Sequence, residues 1–318
     1  LSMAIELPDH LSQVLQNGQR LSQQGYRGRF APTPSGPLHL GNVRTALLSW
    51  LRARLNNGQW LLRVDDLDTP RIRSGAIESV RQDLRWLGLN WDGPLLLQSR
   101  RRGLYGSFLS TLRKQGYLYP CRCSRRQLDG ETIYPGTCRR LDQDWGLRDA
   151  RLPAWRLRVA EPYDTVVGDV VLRRADGVIA YHLATSIDEL ALGINEVVRG
   201  QDLVSVCAAQ CAVITSLGMA SPRYGHVPLL CDSSGQKLSK RDHAAGLSSL
   251  RDRGEAAAQV IGQLAASLGL VSPTNAISAE ELLEELRNHQ DKLTSLIVGA
   301  DSSGCLLYTS DAADELRS

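Results

Sequence analysis

The chain has 318 residues, of which 42% are hydrophobic and 22% are charged, enough for one large or two modest domains. No run approaches the ~20 apolar residues of a membrane span and nothing at the start resembles a secretory signal, so we expect a cytoplasmic protein without a membrane partner. The net charge of +3 is too small to indicate a nucleic-acid partner, and seven irregularly spaced cysteines argue against a disulfide framework.

Residues 1–27 form an extension with a predicted short helix over 11–21, ahead of the first predicted strand. Residues 28–55 then predict a strand, a loop rich in proline and glycine, and an amphipathic helix whose apolar residues follow a 3.6-residue period. The first N–H groups of a helix have no intrahelical acceptor, so this arrangement favours phosphate binding. His39 and Gly41 lie in the loop.

Further strands are predicted over 60–64 and 95–98, and a helix follows each of them. We expect Ser74 to cap the first of these helices and Ser99 to begin the second. Strands that alternate with helices predict an α/β fold with a parallel sheet and helices on both faces. Residues 28–116 are therefore assigned to the first half of this domain.

Residues 117–163 interrupt the alternation with Cys121-x-Cys123, followed by Tyr134 and Cys138. Two thiolates one residue apart can share a site only where the backbone turns, and the Pro-Gly turn after Tyr134 can bring the second pair around. These residues by themselves leave a metal site and simple reduced cysteines as equal alternatives.

Between 164 and 245 the pattern changes to short β runs. The runs at 166–174 and 178–187 flank an Asp-Gly turn, which predicts a hairpin. Another strand is predicted over 194–198, and Asp202 is expected to cap the helix that follows.

A helical subdomain is predicted over 246–304, where Ser278 and Glu281 have the spacing of a capping box. The last stretch, 305–318, resembles the translation of an adapter used in preparing sequencing libraries. We therefore leave it out of the fold prediction.

Two motifs carry a resemblance to a known family. HLGN at 39–42 and KLSKR at 237–241 resemble the signature motifs of class I aminoacyl-tRNA synthetases, and RVDDLD, YHLATSIDE and NEVVRGQDL narrow the resemblance to the glutamyl branch. It extends over about 28–245 and is greatest toward a short group that lacks an anticodon-binding domain and modifies queuosine. The resemblance implies a Rossmann-type catalytic core with a zinc-bearing insertion. The implied zinc ligands of this closed, structural site are Cys121, Cys123, Tyr134 and Cys138.

The implied reaction is attack of an amino-acid carboxylate on the α-phosphate of ATP, with Mg²⁺ accompanying the nucleotide. The resemblance assigns catalysis to His39, Lys237 and Lys240, and ATP binding to His39, Gly41, Asn42 and Lys240. Only four of the 37 basic residues are lysines, and two of these lie in the second motif. Compact ammonium groups there would stabilise the leaving pyrophosphate.

Glutamate is the implied amino acid. Its side-chain carboxylate requires fixed cations, and Arg29 and Arg199 match the arginines of the family that bind it. The other implied glutamate-binding residues are Ala31, Thr33, Asp65 and Tyr181. Asp65 stands where the family usually has Glu, so we expect the pocket to close slightly or a water to bridge. Thr185, where ordinary glutamyl synthetases usually have Asn, favours the queuosine-modifying group.

The implied acceptor is queuosine at the wobble position of tRNA(Asp), reached by docking of the anticodon stem-loop onto a chain that we expect to be a monomer. Arginines cluster at 100–102 and around the cysteines between 122 and 140, although a solvated face explains such clusters more often than RNA binding does.

Two alternatives remain open at this point. One is a catalytic fragment of an ordinary glutamyl-tRNA synthetase whose anticodon domain has been lost. The other is a tRNA-binding paralogue without activation chemistry, for which Asp65 is the only support, while His39 and the two lysines of the second motif argue against it.

Overall fold

A computed structural model describes residues 5–124, 126–228 and 246–297. The strands are β1 (Arg27–Phe30), β2 (Gln59–Val64), β3 (Leu96–Leu97), β4 (Leu118–Cys121), β5 (Ala154–Leu157), β6 (Val170–Arg173), β7 (Glu196–Gly200) and β8 (Arg223–Val227). The α-helices are α1 (Asp9–Gln23), α2 (Leu40–Leu55), α3 (Ala76–Trp86), α4 (Arg102–Lys114), α5 (Asp164–Val167), α6 (Tyr181–Ala191), α7 (Cys207–Ser216), α8 (Leu247–Asp252), α9 (Ala257–Ala266), α10 (Ala279–Leu286) and α11 (Gln290–Ser295). None of the helices described is long and apolar enough to cross a bilayer.

The predicted parallel sheet is confirmed. β1, β2 and β3 pair in parallel in that order, and β7 pairs in parallel with β8. β7 lies beside β1, because the N–H of Asn195 donates to the carbonyl of Arg27 at 3.1 Å and the Asn195 side chain accepts from the Arg27 N–H at 2.9 Å. The carboxyl ends of β1, β2 and β7 therefore meet at one edge of the sheet, where α/β proteins place their ligands.

α2 forms and packs as its apolar period predicts. Val43, Leu47 and Leu51 are fully buried in the core cluster that also contains residues of β1 and β2. The helix ends before Asn57, which has a left-handed φ of 49°. A side chain at the next residue, Gly58, would place its Cβ 2.4 Å from the carbonyl oxygen of Tyr26, so only glycine allows β2 to begin there.

The insertion contains an antiparallel sheet in the order β4-β5-β6. Since β6 pairs with β5, this sheet extends past the expected boundary at residue 163. The guanidinium of Arg113 on α4 stacks over the rings of Trp145 and Trp155 at 4.2 and 5.1 Å, which attaches the insertion to the first half of the domain.

The prediction of a second β run over 178–187 is wrong. The Asp-Gly turn is present, with a single bridge between Arg173 and Ile179, but α6 begins at Tyr181. Leu183, Ile187 and Leu190 follow a helical period and are buried in the core cluster that includes α4 and α7. Packing on that cluster outweighs the β propensity of the apolar run.

The two N-caps predicted at Ser74 and Asp202, and the α-helix start predicted at Ser99, are also wrong. Gly75, with φ of 75°, precedes α3 in place of Ser74, and Arg101 precedes α4. Ser99 lies in a 3-10 turn and donates its N–H and hydroxyl to Asp66 at 2.7 and 2.6 Å. Asp202 lies in another 3-10 turn ahead of α7. A tertiary acceptor for Ser99 and local turn geometry at the other two sites replace the expected caps.

The C-terminal helices share the core of the first half. Leu264 and Leu282 belong to the same apolar cluster as Leu47, so these helices pack directly on α2. The predicted capping box is confirmed, since the Ser278 hydroxyl accepts from the Glu281 N–H and the Glu281 side chain accepts from the Ser278 N–H.

Candidate active site

A cavity of about 1020 Å³ opens at the carboxyl ends of β1, β2 and β7. The predicted site residues that line it are Arg29, Ala31, Thr33, His39, Gly41, Asn42, Asp65, Tyr181 and Arg199. The structure thus brings Arg29 and Arg199, which lie far apart in the sequence, to the same cavity. Lys237 and Lys240 of the second motif lie outside the described residues.

The N-terminus of α2 forms one end of the cavity. His39 is the N-cap residue with extended backbone, and Gly41 and Asn42 belong to the first helical turn. The N–H groups of such a turn have no intrahelical acceptor and carry the positive end of the helix dipole. A Cβ at Gly41 would lie 3.4 Å from the His39 ring, so glycine leaves room for that ring. This end of the cavity is suited to phosphate oxygens.

Arg29 on β1 is 4% exposed and is held from two sides. Its Nη2 donates to Glu189 on α6 at 2.8 Å, and its Nη1 donates to the carbonyl of Val198 on β7 at 3.4 Å. The described residues provide no acceptor for its buried Nε. The guanidinium is therefore fixed in orientation, and its Nε–H is not used by the described residues.

Arg199 on β7 is 3% exposed and contacts neutral groups. Its Nη1 donates to Gln210 at 2.7 Å and its Nη2 to the sulfur of Cys207 at 2.7 Å, while its guanidinium stacks on Tyr224 at 4.7 Å. No carboxylate among the described residues forms a salt bridge with it within 4.0 Å. Arg199 therefore brings to the cavity wall a positive charge that no described carboxylate pairs with directly; Glu189, which acts on it electrostatically, is paired with Arg29.

Asp65 follows β2 and is 8% exposed. Both of its carboxylate oxygens accept from Arg63, at 2.7 Å from Nε and 3.2 Å from Nη2. Burial raises the pKa of Asp65 above its ordinary value, and the charges of Arg63 and Arg29 act in the opposite direction. Asp65, whose side chain is shorter than the Glu usual in the family, thus lines the cavity directly and is held in an ion pair with Arg63.

Tyr181 and His182 begin α6 at the cavity wall. Tyr181 is 38% exposed and lines the cavity. Burial, and then the charge of Arg199, lower the pKa of His182 to about 4. His182 is therefore neutral near pH 7.

The predicted metal ligands converge away from this cavity. The sulfurs of Cys121, Cys123 and Cys138 lie within 4.8 Å of one another, and those of Cys123 and Cys138 are 3.5 Å apart. The Tyr134 hydroxyl lies 3.4 and 3.7 Å from the sulfurs of Cys121 and Cys123 and accepts from the Cys138 N–H at 2.9 Å. Burial raises the pKa of Cys123 to about 11 in the absence of a metal. The cysteines could hold a metal ion.

Sequence reasoning missed the residues behind the cavity wall. Glu189 and Asp188 are fully buried on α6 and contact Arg29 and Arg63. Both lie in the segment YHLATSIDE, and a helical prediction for it would have placed the two carboxylates about one helical turn from Thr185 on a buried face. The incorrect β prediction concealed them. Gln210 on α7 was missed because no motif marked it.

The comparisons with known proteins agree with this architecture. A family described as class I tRNA synthetases (E and Q), catalytic domain, matches residues 26–134 and 156–297. The chain belongs to this family of class I aminoacyl-tRNA synthetases and is an enzyme of the ligase class. A glutamate tRNA ligase from Elizabethkingia meningosepticum, solved in complex with its amino acid, has a TM-score of 0.67 and 25% identity, covering 91% of this chain and 70% of that one.

Curated relatives narrow the assignment. The glutamyl-Q tRNA(Asp) synthetase of Prochlorococcus marinus (strain MIT 9303) is 58% identical over 304 residues, which cover 93% of this chain and 99% of the relative. That of Synechococcus sp. (strain CC9605) is 62% identical over 281 residues, which cover 88% and 96%. Within the class I synthetases, the chain is a member of the glutamyl-Q tRNA(Asp) synthetase group.

Proposed function

We propose that this enzyme activates L-glutamate with ATP and transfers it to queuosine at the wobble position of tRNA(Asp). The observation that carries the proposal is the similarity to proteins named glutamyl-Q tRNA(Asp) synthetase. Two of them are 58% and 62% identical to this chain, in alignments that cover 99% and 96% of their own lengths. The cavity agrees with it, because a helix N-terminus and two buried arginines line one space.

In the proposed complex, Arg199 and Arg29 bind the side-chain carboxylate of glutamate. Planar guanidinium groups pair with carboxylates through two parallel hydrogen bonds, and burial strengthens such pairs. Asp65 accepts the substrate ammonium group, Tyr181 covers the pocket, and Ala31 and Thr33 form its remaining wall. The α-carboxylate is then free to attack the nucleotide.

ATP occupies the end of the cavity at the α2 N-terminus, where His39, Gly41 and Asn42 contact its phosphates. Alignment of two anions and neutralisation of charge at the α-phosphate account for the rate enhancement. Class I synthetases use ATP with Mg²⁺, which neutralises phosphate charge. We assign stabilisation of the leaving pyrophosphate to Lys240 with Lys237.

The anticodon stem-loop of tRNA(Asp) is the proposed macromolecular partner, and we expect a cytoplasmic monomer. The ordinary glutamyl-tRNA synthetase fragment is not favoured, because identity to the solved glutamate tRNA ligases is only 25–26%. The non-catalytic paralogue is not favoured either, since Asp65 remains a carboxylate at the cavity wall.

The test is glutamate-dependent ATP–pyrophosphate exchange with and without tRNA, followed by transfer of labelled glutamate to tRNA(Asp) with and without queuosine. Family resemblance implies that ordinary glutamyl-tRNA synthetases need tRNA for activation and that the queuosine-modifying group does not. Exchange without tRNA and transfer only to queuosine-containing tRNA(Asp) is the expected result. Exchange only with tRNA(Glu) would indicate an ordinary synthetase, and no exchange under either condition would indicate a binding protein.

We further propose one structural zinc ion held by Cys121, Cys123, Tyr134 and Cys138. Tetrahedral zinc with thiolate bonds of ~2.3 Å separates two sulfurs by about 3.8 Å, which fits the cluster. Such a site would fix the turn that joins β4 to the rest of the insertion.

Metal analysis of the purified protein should give about one zinc per chain, and the double variant Cys121→Ser, Cys138→Ser should lose it. Since structural metals contribute folding energy, the double variant should also unfold at a lower temperature. Replacement of Cys207 and Cys211 on α7 is the matched control and should leave the zinc content unchanged. Equal zinc content in the two double variants would refute the site.

A further inference from the structure

Behind Asp65 lies a chain of buried charges. Arg63 is fully buried on β2 and holds both oxygens of the Asp65 carboxylate in a forked ion pair. Its Nε also lies 3.6 Å from Oδ2 of Asp188, which is fully buried on α6. Arg63 therefore stands between two carboxylates, of which Asp65 alone lines the cavity.

Asp188 is itself held by three further donors. Arg101 donates to its Oδ1 at 2.6 Å, and Gln98 and Tyr105 donate to its Oδ2 at 2.9 and 2.8 Å. These donors come from the 3-10 turn after β3 and from α4. Asp188 is thus anchored independently of Arg63 and provides a fixed negative charge against which the Arg63 guanidinium is positioned.

We propose that Arg63 is a positioning residue that keeps Asp65 oriented and ionised for the substrate ammonium group, and that Asp188 fixes Arg63 in turn. This inference rests on the proposed role of Asp65 in glutamate binding. Arg63 contacts no ligand, because it lies behind the cavity wall. A carboxylate oxygen can accept more than one hydrogen bond. The two hydrogen bonds from Arg63 therefore leave Asp65 able to accept a further one from an ammonium group.

The charges around Asp65 explain why Arg63 is required. Burial raises the pKa of Asp65, Arg63 on β2 and Arg29 on β1 lower it, and Asp188 on α6 raises it. Removal of Arg63 would leave two buried carboxylates facing each other, and one of them would then take up a proton. A protonated Asp65 cannot pair with an ammonium group. Loss of Arg63 should therefore move the acid limb of kcat/KM for glutamate to higher pH.

A substrate analogue separates this role from general damage. Glutarate has both carboxylates of glutamate and lacks the ammonium group, so its binding does not use Asp65. In Arg63→Gln the KM for glutamate should rise by about tenfold or more, because the charge-assisted contact between Asp65 and the substrate ammonium group is lost. The inhibition constant of glutarate should change by less than about threefold, since the two arginines proposed to bind the side-chain carboxylate of glutamate remain for one of its carboxylates.

The experiment measures pyrophosphate exchange, glutarate inhibition and pH profiles for wild type, Arg63→Gln, Asp188→Asn and the double variant. Asp188→Asn removes a negative charge near Asp65 and should move the acid limb to lower pH. The double variant restores the charge balance and should return the acid limb of Arg63→Gln toward wild type. Arg63→Lys keeps the charge without the fork, so it should raise the glutamate KM with little change of the acid limb.

Arg52→Gln is the matched control. Arg52 forms a comparable forked pair with the fully buried Glu196, with hydrogen bonds of 3.0 and 2.7 Å, and this pair does not line the cavity. It should lower stability and leave the ratio of glutamate to glutarate affinity and the acid limb unchanged. If Arg63→Gln does not fold, the opposite pH shift of Asp188→Asn and the KM of Arg63→Lys carry the test. Parallel loss of glutamate and glutarate binding, or unchanged acid limbs, would overturn the inference. Absence of exchange in the wild type would instead refute the proposed function.

Discussion

At the scale of single residues, the two arginines of the proposed glutamate pocket are buried in different ways. Arg29 is paired with the Glu189 carboxylate, whereas the partners described for Arg199 are the amide of Gln210, the sulfur of Cys207, the His226 imidazole and the Tyr224 ring. An arginine without a counter-ion in a buried wall is costly unless a ligand supplies the negative charge. Arg199 is therefore the cation that a substrate carboxylate most directly neutralises.

Replacement of Arg199 by lysine should be severe although the charge is kept. An ammonium group cannot make the planar fork or keep the contact with Gln210 at the same time, so kcat/KM for glutamate should fall by about a hundredfold. Steady-state exchange kinetics with glutamate and ATP varied separately measure this, and the KM for ATP should change by less than about twofold. The same replacement at Arg148, which is 73% exposed, is the control. Equal effects at the two positions would contradict the role of Arg199.

The lowered pKa of His182 predicts that the free energy of unfolding depends on pH. Its pKa is lowered from 6.5 to about 4, by burial first and by Arg199 second. Between these two values the unfolded chain binds a proton that the folded chain does not, so the free energy of unfolding falls as pH decreases through this window. His182→Gln should flatten that dependence between pH 6.5 and about 4, as measured by urea unfolding at a series of pH values. A variant with the same slope as wild type would show that the pKa of His182 is not lowered by folding.

At the scale of elements, α1 docks on α6 through a contact that requires glycine. A Cβ at Gly18 would lie 1.8 Å from the carbonyl oxygen of Leu190, near the end of α6. On the other side, Gly193 has φ of 66°, and its Cβ would lie 2.5 Å from the carbonyl oxygen of Gly18. α6 also begins with Tyr181, so its docking bears on the cavity wall.

Gly18→Ala should destabilise the protein by about 1–3 kcal/mol, because α1 has to move away from α6. Gly106→Ala on α4 is the matched control, since a Cβ at that position would meet no heavy atom of another element within 4 Å. A glycine in the middle of a helix costs about 0.5–1 kcal/mol relative to alanine, so this variant should be equally or more stable. Urea unfolding compares the two, and equal stability of the variants would contradict the close contact.

At the scale of the whole molecule, the cavity lies where two parts of the parallel sheet meet. One part contains β1 and β2, and the other contains β7 and β8, which follow the insertion in the chain. Because the arginines of β1 and β7 both line the cavity, a ligand that contacts both ties the two parts together. Binding should therefore raise the stability of the entire domain rather than of one loop.

L-Glutamate at a hundred times its dissociation constant should stabilise the folded chain by about 2.7 kcal/mol, which raises the midpoint of thermal unfolding by a few degrees. L-Glutamine at the same concentration is the control, because its amide cannot neutralise Arg199. Thermal unfolding followed by circular dichroism measures both. Equal shifts with the two amino acids would contradict recognition of the negative charge.

The sequence by itself was sufficient for the α/β class, the parallel sheet, the α2 helix and the capping box at Ser278, because hydrophobic periods and short motifs encode these locally. It also identified nine of the residues that line the cavity, since a family resemblance transfers residue types position by position. Tertiary structure alone decided that 181–191 is a helix, because burial of Leu183 and Ile187 in a core formed by distant segments outweighed local β propensity. It likewise decided that Glu189 pairs with Arg29 and that Asp188 lies against Arg63. Those pairs join segments more than a hundred residues apart, and no local pattern encodes such contacts.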